Sequence, residues 1–199
     1  MTATPGSRTR LSPDARREQL LDLGLKLLST RSLEELSIDL LAEEAGISRG
    51  LLYHYFGNKQ DFHRAVVRRA ADDVIRRTQP DESLEATERL AQGLTAYVDY
   101  VEQNYAVYTM LVRGAASGNE LLREIYVDAR SALTGRLFEG LDEYGLSDGP
   151  AVRLLIDGWA AMVEETVLTW AGAPSIPKDE LLELLGAALP AILDPLVRR

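Results

Sequence analysis

The chain has 199 residues, a formal net charge of −9, no cysteine and two histidines, His54 and His63. That length holds one large domain, or a small one joined to a larger, with ample core. The composition excludes disulfides and thiolate metal sites and leaves little for a zinc centre or a histidine-based catalyst.

No apolar run approaches the roughly 18 residues of a membrane span. Residues 1–10 lack the apolar core of a signal peptide. A cytoplasmic, soluble protein with no cofactor, no metal and no membrane partner is expected. The charge is unevenly placed: through Pro80 there are 13 Lys and Arg against 11 Asp and Glu, and beyond it 9 against 20. A mildly basic first part and a strongly acidic remainder would steer DNA toward one end only.

Residues 1–11 are polar and carry Arg8 and Arg10. They read either as a solvated tail or as an arm reaching phosphates or a narrow minor groove. Ser12-Pro13-Asp14 is a strong helix start, with a capping serine, proline in the first turn and an acid at the positive dipole end. The helix runs to about residue 30 with leucines on two adjacent stripes, and residues 31–36 connect it onward.

The segment 37–56 reads as two short helices around a sharp turn. Ser37 caps the first, in which Leu41 and Ala45 repeat at helical spacing and Ala42 is small enough for a close crossing. Gly46 supplies the left-handed backbone that ends it, and Ile47 plugs the corner. Ser48 caps the second helix. There Leu52, Tyr55 and Phe56 point inward, while Arg49, Gly50, Tyr53 and His54 point outward. This is a helix-turn-helix with a polar, aromatic and basic outer face.

The stretch Ala42 to Lys59 resembles the TetR family of bacterial transcriptional regulators. The marks are the Ala-Gly-hydrophobic-Ser turn, the Leu-Tyr-x-Tyr-Phe recognition helix, and the Asn-Lys opening the next helix. The likeness is close over roughly residues 13–74 and architectural beyond. It implies an all-α fold, with an N-terminal three-helix DNA-binding domain (residues 1–80) and a larger C-terminal helical domain (residues 81–199) for ligand binding and dimerisation.

Gly57 ends the recognition helix and Asn58 caps the next, so Lys59 stands at a helix N-terminus that favours anions. The resemblance assigns Lys59 a phosphate contact. Arg49, Leu51, Tyr53 and His54 are the residues expected at base edges, Arg49 on guanine and Leu51 on a thymine methyl, with Gly50 on the same face. Many relatives carry threonine where Leu51 stands. Ser37, Ser48, Tyr55 and Lys59 are expected on phosphates, with Tyr55 divided between core and groove. Asp39, near the DNA backbone, is a departure expected to weaken affinity slightly.

The next helix runs from Lys59 to about Arg77, and Gln79-Pro80-Asp81 breaks it. It is the natural lever between the domains. Further helices are expected over residues 83–104, 106–113, 119–144, 151–170 and 178–197, with an interruption at 114–118. In the first of these Leu84, Leu90, Ala91, Leu94, Val98 and Val101 read as inward. No strand pattern or repeat rises above noise.

The last helix is apolar over more than half its circumference, which suggests burial against both its own bundle and another surface. As in the resembling family, the last two helices would pair with their copies in a homodimer through Leu155, Trp159, Met162, Leu181, Leu185, Leu189, Ile192 and Leu196. Tyr97, Tyr100, Tyr108, Tyr126, Trp159 and Met162 are bulky groups placed to surround a cavity, with Arg113, Arg130 or Asp157 to orient a polar end. The resemblance implies a small, largely apolar effector.

The resulting expectation is a repressor that binds a palindromic stretch of double-stranded DNA as a dimer and is released by that effector. Enzyme function is not expected. Gly114 to Gly118 lacks the Lys-Ser/Thr and the strand of a phosphate loop, and both histidines fall in the DNA-binding part. The rival is an all-helical protein-interaction adaptor with a non-functional helix-turn-helix.

Overall fold

The structure, a computed structural model, describes residues 12–197. The arm with Arg8 and Arg10 lies outside the described residues. Secondary structure among them is entirely helical, and the chain divides into two compact units, Met1–Val66 and Val67–Arg199.

The first unit holds α1 (Pro13–Leu28), α2 (Ile38–Ala45), α3 (Arg49–Phe56) and the start of α4 (Lys59–Arg77). Ser12 caps α1 by accepting the Ala15 N–H at 3.2 Å, which satisfies one of the orphan donors of a helix start. Leu20, Leu36, Leu41, Leu52, Phe62 and Val66 are fully buried. Each such side chain contributes roughly 1.5–3 kcal/mol relative to exposure. A Cβ on Gly24 would lie 2.7 Å from a Val66 methyl, so glycine is what lets α1 approach α4 this closely.

The second unit begins inside α4. It continues through α5 (Ala86–Gln103), α6 (Tyr105–Ala116), α7 (Glu120–Glu139), a 3-10 turn (Leu141–Tyr144), α8 (Pro150–Gly172) and α9 (Lys178–Val197). The division falls earlier than the chain break at Pro80 because the latter part of α4 packs here. Val74 joins the larger core, and Tyr100 donates to the Ala70 carbonyl at 2.7 Å.

Three helix boundaries differ from the sequence reading. The fifth helix starts at Ala86, because Asp81 captures the Ser83 N–H and hydroxyl and holds residues 81–84 as a turn. The sixth runs through Gly114, whose missing Cβ leaves room for Leu122: a Cβ would sit 2.2 Å from its Cδ1. The seventh stops before Gly140, which lies against the Arg89 guanidinium. Ala91, expected inward, is exposed.

Candidate nucleic-acid interface and effector cavity

Gly46 adopts φ 63°, ψ 38°, the left-handed conformation that ends α2, and its N–H bonds back to the Glu43 carbonyl. Two serines frame the motif. The Ser37 hydroxyl accepts from Leu40 N–H at 3.1 Å, and that of Ser48 from Leu51 N–H at 3.3 Å. Both are therefore engaged as helix caps, and each hydroxyl keeps its proton to donate.

Along α3, Leu52 is 0% and Phe56 5% exposed, which anchors the helix to the unit. The opposite side is open: Leu51 is 37% and Tyr53 50% exposed, and Arg49, Gly50 and His54 are exposed with them. Tyr55 lies half-buried between the two sides, its ring 5.8 Å from that of His54.

Asp39 does not stand alone. Its carboxylate meets Arg49 Nε at 2.6 Å, with both side chains more than half exposed. A surface pair of this kind adds little stability, but it orients the Arg49 guanidinium at the start of α3. Lys59 opens α4 as expected, and its ammonium donates to the Glu34 carbonyl at 3.0 Å. Asn58 caps α4 reciprocally with Asp61. Behind these, His63 Nε2 lies 2.6 Å from the Leu36 carbonyl. Burial pulls the His63 pKa down, against the Leu36 hydrogen bond that raises it.

The second unit holds a partly open cavity of about 180 Å³ between α4, α5, α6, α7 and α8. Its wall is largely hydrocarbon, including Leu90, Leu94, Leu133 and Leu137. Tyr97, Tyr108, Tyr126 and Trp159 line it. Tyr100 and Met162 do not. Tyr100 is buried with its hydroxyl spent on Ala70, and Met162 is 39% exposed on the far side of α8. Arg130 lines the cavity, whereas Arg113 pairs with Glu165 and the Asp157 carbonyl accepts from Arg130.

Glu164, which sequence reasoning passed over, organises one end of the cavity. It accepts from Tyr126 at 2.8 Å, from Tyr108 at 3.5 Å and from Arg130 at 3.4 Å. The Tyr97 and Tyr108 hydroxyls share a hydrogen bond at 2.9 Å. Burial pushes the Glu164 carboxyl above its usual range, against the hydrogen bonds that pull it down. Burial likewise raises the Tyr97, Tyr108 and Tyr126 phenols. Arg89 and Arg136 line the other end and were also missed; a spacing pattern in a helix gives no sign of a partner two or more helices away.

The residues expected to pair two copies divide in the same way. Leu181, Leu185, Leu189 and Trp159 are buried in the chain's own core. The Trp159 indole even donates to the Leu185 carbonyl at 3.3 Å. These four form the inner stripe of α8 and α9. Leu155, Ile192 and Leu196 are half-buried, and Met162 is exposed. Leu154, at 73%, and Leu184, at 59%, extend the outer apolar stripe. Gly158 opens onto free space on that side.

Among the described residues no helix is long and apolar enough to cross a membrane. Residues 20–66 match the sequence model described as bacterial regulatory proteins, tetR family, and residues 86–190 the one described as the tetracyclin repressor-like C-terminal domain. A tetR-family transcriptional regulator from Streptomyces coelicolor of known crystal structure is 32% identical. The match covers 93% of this chain and 83% of that one, with a TM-score of 0.80. The fatty acid metabolism regulator protein of Bacillus subtilis is 25% identical over 76% of this chain and 81% of its own. The crystal structure of Bacillus subtilis FadR with stearoyl-CoA shares the fold, at 22% identity and TM-score 0.66, covering 88% of this chain and 96% of that one.

Proposed function

Because the chain belongs to the TetR family, and is thus a ligand-responsive, DNA-binding transcriptional regulator, we propose that it represses from a roughly palindromic operator as a homodimer. In this reading an acyl compound that fills the cavity releases it. The observation that carries the DNA reading is the open side of α3, held outward by the buried Leu52 and Phe56.

On that side Arg49 reads guanine through the guanidinium that Asp39 orients, and Leu51 packs on a thymine methyl. Tyr53 and His54 reach neighbouring base edges, where Gly50 lets the backbone approach. Ser37, Ser48, Tyr55 and Lys59 grip phosphates. The Lys59 ammonium has three donors, of which Glu34 takes one.

The dimer reading rests on the outer apolar stripe of α8 and α9: Leu154, Leu155, Gly158 and Met162 on one helix, Leu184, Ile192 and Leu196 on the other. Two-fold pairing would set the recognition helices on successive major-groove turns, about 34–36 Å apart. The effector class is supported by the hydrocarbon wall of the cavity and by the relative that regulates fatty acid metabolism. A ligand acts only by preferring the shape that binds DNA poorly.

Selection of bound sequences from random DNA tests the first part, and it should enrich an inverted repeat with half-sites about 10–10.5 base pairs apart. Sedimentation should give a dimer at micromolar concentration. A panel of fatty acids and acyl thioesters should release the selected DNA, and a reporter gene should be derepressed by the same compounds. Enrichment of a single unrepeated site, or a monomer in sedimentation, defeats the dimeric reading.

A further inference from the structure

Three arginines line the cavity, and they differ in what they face. Arg130 faces Glu164, and Arg89 is paired with Glu143. Arg136, on α7, makes its hydrogen bonds to uncharged acceptors. Nη1 donates to the Thr78 carbonyl and hydroxyl, both at 2.8 Å, and Nη2 to the Ile75 carbonyl at 2.6 Å and the Gln79 amide oxygen at 3.2 Å. Burial disfavours its charged form, and Glu139, one turn along the same helix, favours it more weakly.

These acceptors are the last turn of α4 and the two residues that follow it. A helix leaves its final carbonyls without partners in the helix, and a cation there also meets the negative end of the dipole. Arg136 thus caps α4 from α7. Thr78 and Val74, from the same turn, line the cavity beside it.

We propose that Arg136 is a latch read by the effector: an anionic head group on an otherwise apolar ligand draws its guanidinium off the last turn of α4. This rests on the reading of the cavity as the effector site and adds the ligand's charge and the means of its action. A guanidinium binds a carboxylate or phosphate through two parallel charge-assisted hydrogen bonds, which are stronger than its bonds to neutral carbonyls. The other two cavity arginines are already matched by carboxylates, so an anion gains most at Arg136.

Once the fork turns to the ligand, the Ile75 and Thr78 carbonyls lose their cap and the last turn of α4 loosens. That helix is continuous to Lys59, so ligand and DNA compete for its state. Linkage requires the same coupling in both directions.

The test compares decanoate, decyl phosphate and decanol, binding measured by calorimetry and release of operator DNA by gel shift. The wild-type protein should bind at least one of the two anions about tenfold more tightly than the alcohol. Whichever is tighter identifies the head group as carboxylate or phosphate. At equal occupancy the anion should release DNA and the alcohol should not.

Arg136→Met should abolish the preference, and its residues 74–80 should exchange amide hydrogen quickly with or without ligand. In the wild type, exchange there should be slow until the anion is added. Gln79→Ala, an exposed change outside the cavity wall, removes one competing acceptor and should tighten anion binding about twofold without affecting the alcohol. An anion preference that survives in Arg136→Met, or DNA release by the alcohol at equal occupancy, overturns the latch. Failure of all three compounds to bind would instead defeat the acyl reading of the cavity. The latch would then stand or fall by amide exchange in Arg136→Met, unchanged exchange in residues 74–80 overturning it.

Discussion

Gly46 and Gly114 end or cross helices in the two units for opposite physical reasons. At Gly46 the backbone is left-handed, φ 63°, and nothing lies within 4 Å of where a Cβ would point. At Gly114 the backbone is ordinary helix, but a Cβ would strike Leu122. The first glycine answers to its own dihedral angles, the second to a side chain on another helix. The contrast extends to the polar groups: Ser37 and Ser48 bond three residues along the chain, whereas Arg136 and Glu164 find partners far from them in sequence.

That contrast would break if the first unit were held by its turns and caps alone. Phe62 tests this, being fully buried with its ring 5.1 Å from that of Phe56. Phe62→Ala should cost about 3–5 kcal/mol in urea unfolding and abolish operator binding. A loss under about 1 kcal/mol would mean that local turn chemistry carries more of this unit than packing does.

The two glycines sharpen it. Gly114→Ala should cost about 1–3 kcal/mol by overpacking, and that cost should vanish in a Leu122→Ala background, read as coupling in a double-mutant cycle. Gly46→Ala should cost about 1–2 kcal/mol from the left-handed backbone alone, and no neighbouring truncation should recover it. A rescue at Gly46, or none at Gly114, would reverse the assignment.

The same division explains what could be read from the sequence. Gly46, Ser48, Asn58 and the alternation of Leu52 with Tyr53 are short-range features, so the helices, caps and turn of residues 37–59 were legible, whereas the Asp39–Arg49 pair and the Lys59 bond to Glu34 were not. The class and number of later helices were also legible, because apolar periodicity survives any arrangement. Which apolar stripe faces which neighbour was not: Leu181, Leu185 and Leu189 share their spacing with a dimer seam, and only packing shows that α5 and α8 cover them. Glu164 and Arg136 gave no signal, since a charged residue on a helix reads as solvated until a cavity is found beside it.

On the DNA side, Lys59→Ala should weaken binding to every sequence alike and reduce the salt slope of log K by about one. Its present bond to the Glu34 carbonyl makes an alternative concrete, namely that Lys59 serves only to tie α4 to the preceding connection. An unchanged slope accompanied by lower thermal stability would favour that role and remove Lys59 from the phosphate contacts.

His63 gives the smallest effect and the sharpest test of whether a long-range contact can act inside the locally organised unit. In the unfolded chain its imidazole takes up a proton near the ordinary value of about 6.5, whereas burial keeps the folded value lower. Between those two values the unfolded chain holds the proton and the folded chain does not, so stability falls as pH drops through 6.5 and levels off below the folded value. Above 6.5 the group contributes no slope. His63→Gln cannot titrate but keeps an N–H to offer the Leu36 carbonyl, so its urea midpoint should lack this component between pH 7 and pH 5 while other carboxylate effects remain. Parallel profiles for the two proteins would mean that the folded imidazole titrates as freely as the unfolded one, and that its 2.6 Å contact with Leu36 holds the proton as firmly as burial expels it.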